Sequence, residues 1–178
     1  YPEHGQATPS CGGKKIFLLI ARLIKLKRIG DYMAACRLLM DAGEDVFMVL
    51  VVYGAPKPND RTLKDFHGMF KPGEAEILVS IASPADLLAH VHGAVSTSEI
   101  EGLPKSILEY MRHGVPVIAS DIPAHRQLVE HEENGLLFPL GDVPQLVREM
   151  RRILHDPDLH ERIARNAQES IAERRWTE

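Results

Sequence analysis

The residues best placed to do chemistry lie in the stretch Glu101-Gly102-Leu103-Pro104-Lys105-Ser106-Ile107-Leu108-Glu109, where seven residues separate two carboxylates. Pro104 lacks an N–H and has a fixed φ, which suits the first turn of a helix. A helix's first turn carries unsatisfied N–H groups and a partial positive charge, and together these favour a phosphate. Gly102 has no side chain to keep a ligand away from the backbone. Helical side chains tilt back toward the N-terminus, so Glu109, a little over one turn in, leans toward the same ligand. A carboxylate there can accept from two neighbouring hydroxyls, as on a ribose. Glu101, just outside the helix, meets a different part of the ligand. The stretch reads as a site for a sugar attached to a diphosphate.

Two plainer readings compete with this one. Ser98-x-x-Glu101 also fits a capping box. A helix starting near Glu99 would then enclose Gly102 and Pro104, and an interior proline costs ~3 kcal/mol. That version is rejected. Glu109 as a solvated helix residue remains open on the motif alone.

The elements around the motif alternate. Continuous apolar runs at 15–21 and 45–52 predict strands covered on both faces. Shorter strands are predicted at 76–79, 93–96, 115–119 and 135–138. Between them, helices are predicted at 29–40, 61–70, 104–113 and 124–130, with Ser83 and Pro84 opening another. Two more helices follow, at 143–155 and from Asp156-Pro157 to about 172. Strands alternating with helices mean a parallel sheet with helices on both faces. Ligands of such sheets bind beyond the carboxyl ends of the strands, so the loops after Ala21, Ser80, Ser98 and Ser120 are the places to look. Residues 1–13, rich in glycine and proline, read as a tail or linker.

Size and composition agree. The chain has 178 residues, of which 44% are hydrophobic and 26% charged. Such values are ordinary for one globular domain. A net charge of -4 argues against a general nucleic-acid binder. Cys11 and Cys36 make no disulfide framework and no metal-ligand spacing, so a reducing compartment is expected. The nine histidines are scattered, and His90 and His92 lack a third ligand; they read as surface or core residues. No secretory signal is evident, and the longest apolar run is far shorter than the ~20 residues that span a bilayer. Peripheral membrane contact is left open.

The glutamate motif, followed by Tyr110-Met111-Arg112-His113-Gly114-Val115-Pro116-Val117-Ile118-Ala119-Ser120, resembles the retaining glycosyltransferases of family 4. Ala21-Arg22-Leu23, with Lys27 five residues after the arginine, is similar to that family's first loop and helix. Asn134 to Asp142 resembles its last strand and turn, and Trp176-Thr177-Glu178 the end of its final helices. Residues from about 14 to 178 take part in the likeness.

That resemblance implies one half of a GT-B fold: a Rossmann-like three-layer sandwich on a parallel sheet. Residues 14–173 would be the nucleotide-sugar donor-binding domain, and 174–178 the start of a crossover to the other half. The partners implied are a nucleoside diphosphate sugar, a missing N-terminal acceptor domain and a glycan or lipid-linked acceptor. A cytoplasmic place is implied, peripheral to the inner face of a membrane if the missing half touches it. Arg22 and Lys27 would hold the diphosphate, as two cations at a strand's carboxyl end can neutralise a leaving diphosphate. No metal or other cofactor is then needed. Glu101 would face the donor sugar and Glu109 the ribose. Backbone N–H groups around Leu103 to Lys105 would bind the phosphate, at the corner that Gly102 and Pro104 form, and Ser80 and Ile81 would border the nucleobase. Reaction would retain configuration, the leaving phosphate taking the acceptor proton, so no general base is assigned. Alone, the domain is expected to be inactive. The chain departs from the family at Ser80 and Arg28, where glycine is usual, at Gln127 for glutamate and at His92 for aspartate. Lys25 and Arg28 read as surface residues. A sugar-nucleotide epimerase or hydrolase half of GT-B type, or a non-catalytic interaction module, are the alternatives.

Overall fold

The computed structural model describes residues 9–57, 59–81 and 83–173. The expectations for residues 1–8 and for the segment around Trp176 lie outside them.

Six parallel strands form one sheet: β1 (Lys15–Ala21), β2 (Val46–Val52), β3 (Ala75–Val79), β4 (Val91–Ser96), β5 (Val117–Ser120) and β6 (Leu136–Phe138). Their spatial order is β3-β2-β1-β4-β5-β6. Strands added first to one side of β1 and then to the other make a doubly wound sheet, with its switch point between β1 and β4. Side chains alternate across it. Phe17, Leu19, Met48 and Leu50 face one core, and Leu18, Phe47, Val49 and Val51 the other.

Helices α1 (Ile29–Asp41), α2 (Arg61–Met69) and α6 (Val143–His155) cover the first face. Helices α3 (Ala85–Leu88) and α4 (Lys105–Arg112) cover the second. A short α5 (Pro123–Arg126) follows β5. The last helix, α7 (Pro157–Glu173), serves both cores: Leu159 and Ile163 pack in the first, Ala167 and Ile171 in the second. This is the three-layer α/β sandwich expected. Among the described residues no helix is long and apolar enough to cross a membrane.

Local chemistry explains the element ends. Asp60 caps α2 by accepting from Thr62 N–H at 2.9 Å, and Asp142 caps α6 through Gln145 N–H; each carboxylate satisfies a donor that the helix's first turn leaves free. Ser83 accepts from Ala85 N–H at 3.2 Å, but α3 is only one turn and starts one residue later than predicted, with Pro84 and not Ser83 at its N-cap. Pro104 lies one position outside α4 rather than inside it. Its φ is -78° and its ψ is 77°. With Lys105 N–H bonded to Leu103 C=O at 2.9 Å, this makes an inverse γ-turn that feeds the helix. The capping-box helix near Glu99 does not form. Gly93 in β4 is needed for packing, because a Cβ there would stand 2.7 Å from the Phe17 ring.

Candidate functional site

The crevice at the switch point opens because β1 and β4 part company. Their ladder runs only to Leu18 and Ala94. Beyond it, Ile20 N–H bonds the Tyr110 hydroxyl at 2.8 Å, which ties the middle of α4 to the end of β1. The loops that follow the two strands then fasten to each other. Thr97 Oγ1 donates to Lys27 C=O at 2.7 Å, and Glu99 N–H donates to Leu26 C=O at 2.8 Å. A single 3-10 turn, Lys25–Lys27, absent from the sequence reading, presents Lys27 to the crevice.

Within that frame Lys27 and Glu101 form an ion pair, their side chains 18% and 12% exposed. The same carboxylate oxygen, Oε1, also accepts from the Ser98 hydroxyl at 2.7 Å. Ser98 and Glu101 thus do interact, but side chain to side chain and not as a helix cap. After the γ-turn at Pro104, Ser106 and Ile107 are the first helical residues whose N–H groups have no acceptor among the described residues, as a helix's first turn leaves them. The N–H of Lys105, expected among the phosphate donors, is used by the turn. Gly102 has open space where a side chain would begin, and Leu103 is half exposed.

The other predicted side chains make no hydrogen bond or ion pair with Lys27 or Glu101. Glu109 is partly exposed, one helical turn before His113, whose Nδ1–H donates to the Glu109 carbonyl at 2.9 Å. Arg22 is exposed, with no ion-pair partner among the described residues. It lines a cavity of about 260 Å³ with Tyr53, Gly54 and Lys57 at the ends of β1 and β2. Ser80 follows β3 and bonds Val52 C=O through its N–H at 2.9 Å, while Ile81 packs against the second core. Ser80 has φ 48° and Arg28 φ 46°. These are two of the positions where the resembled family carries glycine, and left-handed backbone is the physical reason for that preference. A larger concavity, about 950 Å³, lies between α1 and α2 and includes Leu23, Arg28, Met33 and Met69. Neither cavity is lined by Glu101 or Glu109.

Sequence reasoning missed the polar layer beneath the pair. His125, fully buried, donates from Nδ1 to Ser120 C=O at 2.7 Å and lies 3.3 Å from Ser96 Oγ through Nε2. Ser120 Oγ donates to Ser98 C=O at 2.5 Å. Burial pushes the His125 pKa down, against the pull of Ser120 C=O and Glu101, because an apolar setting disfavours the charged imidazolium. One signal was available. Ser96 follows the apolar pair Ala94-Val95, and Ser120 ends a strand that is otherwise apolar.

A doubly wound parallel sheet with a lysine–glutamate ion pair at its switch point defines a Rossmann-like domain. The model of the family "Glycosyl transferases group 1" matches residues 2–170, and the chain belongs to that family. It is 28% identical over 144 residues to the amylovoran biosynthesis glycosyltransferase AmsK of Erwinia amylovora, covering 76% of this chain and 35% of the relative. The chain therefore spans about a third of that relative's length. The structure is similar to Anabaena Alr3699/HepE in complex with UDP and glucose, with a TM-score of 0.83 at 24% identity, over 92% of this chain and 45% of that one. It is also similar to the C-terminal domain of LpcC, a glycosyl transferase group 1 family protein of Francisella tularensis. There the TM-score is 0.78 at 21% identity, over 90% of this chain and 85% of that one. Such likenesses identify the fold as the Rossmann-like half of GT-B glycosyltransferases.

Proposed function

We propose that this chain is the donor-binding half of a retaining, family 4 type glycosyltransferase, which moves a sugar from a nucleoside diphosphate onto a glycan or lipid-linked acceptor. The observation that carries the reading is the Lys27–Glu101 pair at the switch point, followed within a few residues by the free N–H groups of Ser106 and Ile107. A diphosphate needs cations and backbone donors, and a sugar needs a carboxylate. Here both stand at the ends of β1 and β4. HepE, of the same fold, has been seen with UDP and glucose, which supports a uridine diphosphate sugar as the donor class.

In this reading Lys27 and Arg22 hold the diphosphate between them and no metal is required. Glu101 accepts from a sugar hydroxyl, and Glu109 accepts from the ribose. Ser80 and Ile81 border the base. The acceptor half is a separate Rossmann-like domain that supplies the other wall of the cleft, and any membrane contact on the cytoplasmic side comes through it. The large apolar side chains of Ile100 and Leu103 are exposed and lie on the side that wall would cover, as neighbouring apolar groups at a surface often mark a contact. The likeness to LpcC's C-terminal domain supports residues 14–173 as the donor domain.

Calorimetric titration with UDP, GDP and ADP tests the reading. One of the three is expected to bind, and this chain alone is expected to transfer no sugar. Absence of binding by all three would overturn the donor assignment. Robust transfer by the 178-residue chain would overturn the two-half reading.

A further inference from the structure

Among the described residues, the buried polar side chains Ser96, Thr97, Ser98, Ser120 and His125 gather behind the Lys27–Glu101 pair. Removing such groups from water is unfavourable unless each finds a partner, and here each does. Apolar side chains would fill the same space at lower cost. The polarity therefore has a use at the surface above it.

The connections run one way. Donation from His125 Nδ1 to Ser120 C=O fixes the tautomer, leaving Nε2 to accept from Ser96 Oγ, since a neutral imidazole has one donor and one acceptor. Ser120, so held, donates its hydroxyl to Ser98 C=O. On either side of Ser98, Thr97 is tied to Lys27 C=O and Glu99 to Leu26 C=O. With its carbonyl held and both of its neighbours tied to the loop after β1, Ser98 aims its hydroxyl at Oε1 of Glu101, the oxygen that Lys27 also takes. No donor among the described residues reaches Oε2.

We propose that Ser98 and His125 are positioning residues of the donor site, which hold Glu101 so that one carboxylate oxygen is occupied and the other is turned to a hydroxyl of the donor sugar. This rests on the donor-site reading of Glu101. Ser98 acts directly on the carboxylate and His125 acts through Ser120. A neutral, buried imidazole suits that work, because it keeps one donor and one acceptor and adds no charge behind Lys27.

The test is calorimetry on the chain with three pairs of probes: UDP and UDP-glucose, GDP and GDP-mannose, ADP and ADP-glucose. The quantity read is the dissociation constant of the bare diphosphate divided by that of its sugar nucleotide, which isolates what the sugar adds. Ser98→Ala is expected to lower that ratio roughly three- to tenfold, the worth of a hydrogen bond to a carboxylate, while the bare diphosphate changes less than about twofold. Ser98→Thr, which keeps the hydroxyl, restores it. His125→Asn lowers the ratio too, and neither change has any effect when Glu101→Gln is already present. Equal losses for diphosphate and sugar nucleotide, additive effects in that cycle, or a wild-type ratio of one would each overturn the proposal. If His125→Asn does not fold, the Ser98 pair of variants decides. Binding of no probe by the wild type would instead overturn the donor reading itself.

Discussion

Lys27 and Glu101 stand 74 residues apart in the chain and meet as a largely buried ion pair across the ends of β1 and β4. Each is the other's local counter-charge. A diphosphate arriving at Lys27 must therefore compete with the carboxylate that already holds it. Glu101→Gln keeps the shape and removes the competitor. It is expected to tighten bare UDP by about 1 kcal/mol, or about fivefold, at low salt. Titration of the two proteins side by side measures this, and weaker binding by the variant would contradict the competition.

Lys27→Ala should do the opposite and do it selectively. Loss of a charged hydrogen bond to phosphate costs about 1.5–3 kcal/mol. UDP affinity is expected to fall more than tenfold while uridine is unaffected. Equal losses for both would place Lys27 away from the phosphates.

Glu109 stands on the exposed side of α4, clear of the pair, and its proposed task is the ribose. Glu109→Ala is expected to weaken UDP by about 1 kcal/mol. The variant should then bind UDP and 2′-deoxy-UDP alike, whereas the parent prefers UDP. A preference that survives in the variant would sink the ribose assignment.

Ser80 adopts φ 48°, a left-handed conformation that costs a residue with a Cβ about 1–2 kcal/mol. Ser80→Gly removes that cost but frees the unfolded chain, which leaves a net gain of about 0.5–1 kcal/mol. A rise of roughly 2–4 °C in Tm is expected. A fall would mean that the hydroxyl matters more than the backbone.

At the opposite end of β4, the His92 ring stacks on His160 and donates from Nε2 to Ile153 C=O at 3.1 Å. Burial, reinforced by the neighbouring His160 and Lys15, lowers its pKa to about 4, since both the apolar setting and nearby positive charge disfavour the imidazolium. Unfolded, the same imidazole titrates near about 6.5. Between those values the unfolded chain binds more protons than the folded one, so stability falls as pH drops from about 6.5 to 4 and is fully present above that window. The loss is at most about 3 kcal/mol, and less because water reaches part of the ring. Urea unfolding at pH 7 and pH 4.5 should show a smaller drop in His92→Gln than in the parent; an equal drop would assign the acid sensitivity to other groups.

Much of this architecture is local and therefore legible. Val46–Val52 is apolar at every position and buried at every position, which is what a strand between two helical layers requires. Gly114, at φ 65°, ends the region of α4 where the sequence placed the stop. Pro104 marked the start of α4 to within one residue, and the difference arose because a proline can make a γ-turn as easily as a first helical turn. The starts of the strands expected at 93–96 and 115–119 were displaced by two residues, because residues beside a strand can join its ladder or stay outside it with little change of pattern.

The sequence by itself determined the alternation of strands and helices, the corner at Pro104 and the charged residues that a diphosphate sugar would need. Those are properties of short windows, set by periodicity, proline geometry and residue type. Only the tertiary structure decided that Lys27 pairs with Glu101, that Arg22 has no ion-pair partner among the described residues, and that His125, Ser120 and Ser98 form one chain beneath the carboxylate. These contacts join segments that touch because two crossovers bring β4 beside β1 and β5 beside β4. No local pattern carries that information, because the side chains that meet at a sheet's switch point are chosen by strand order and register.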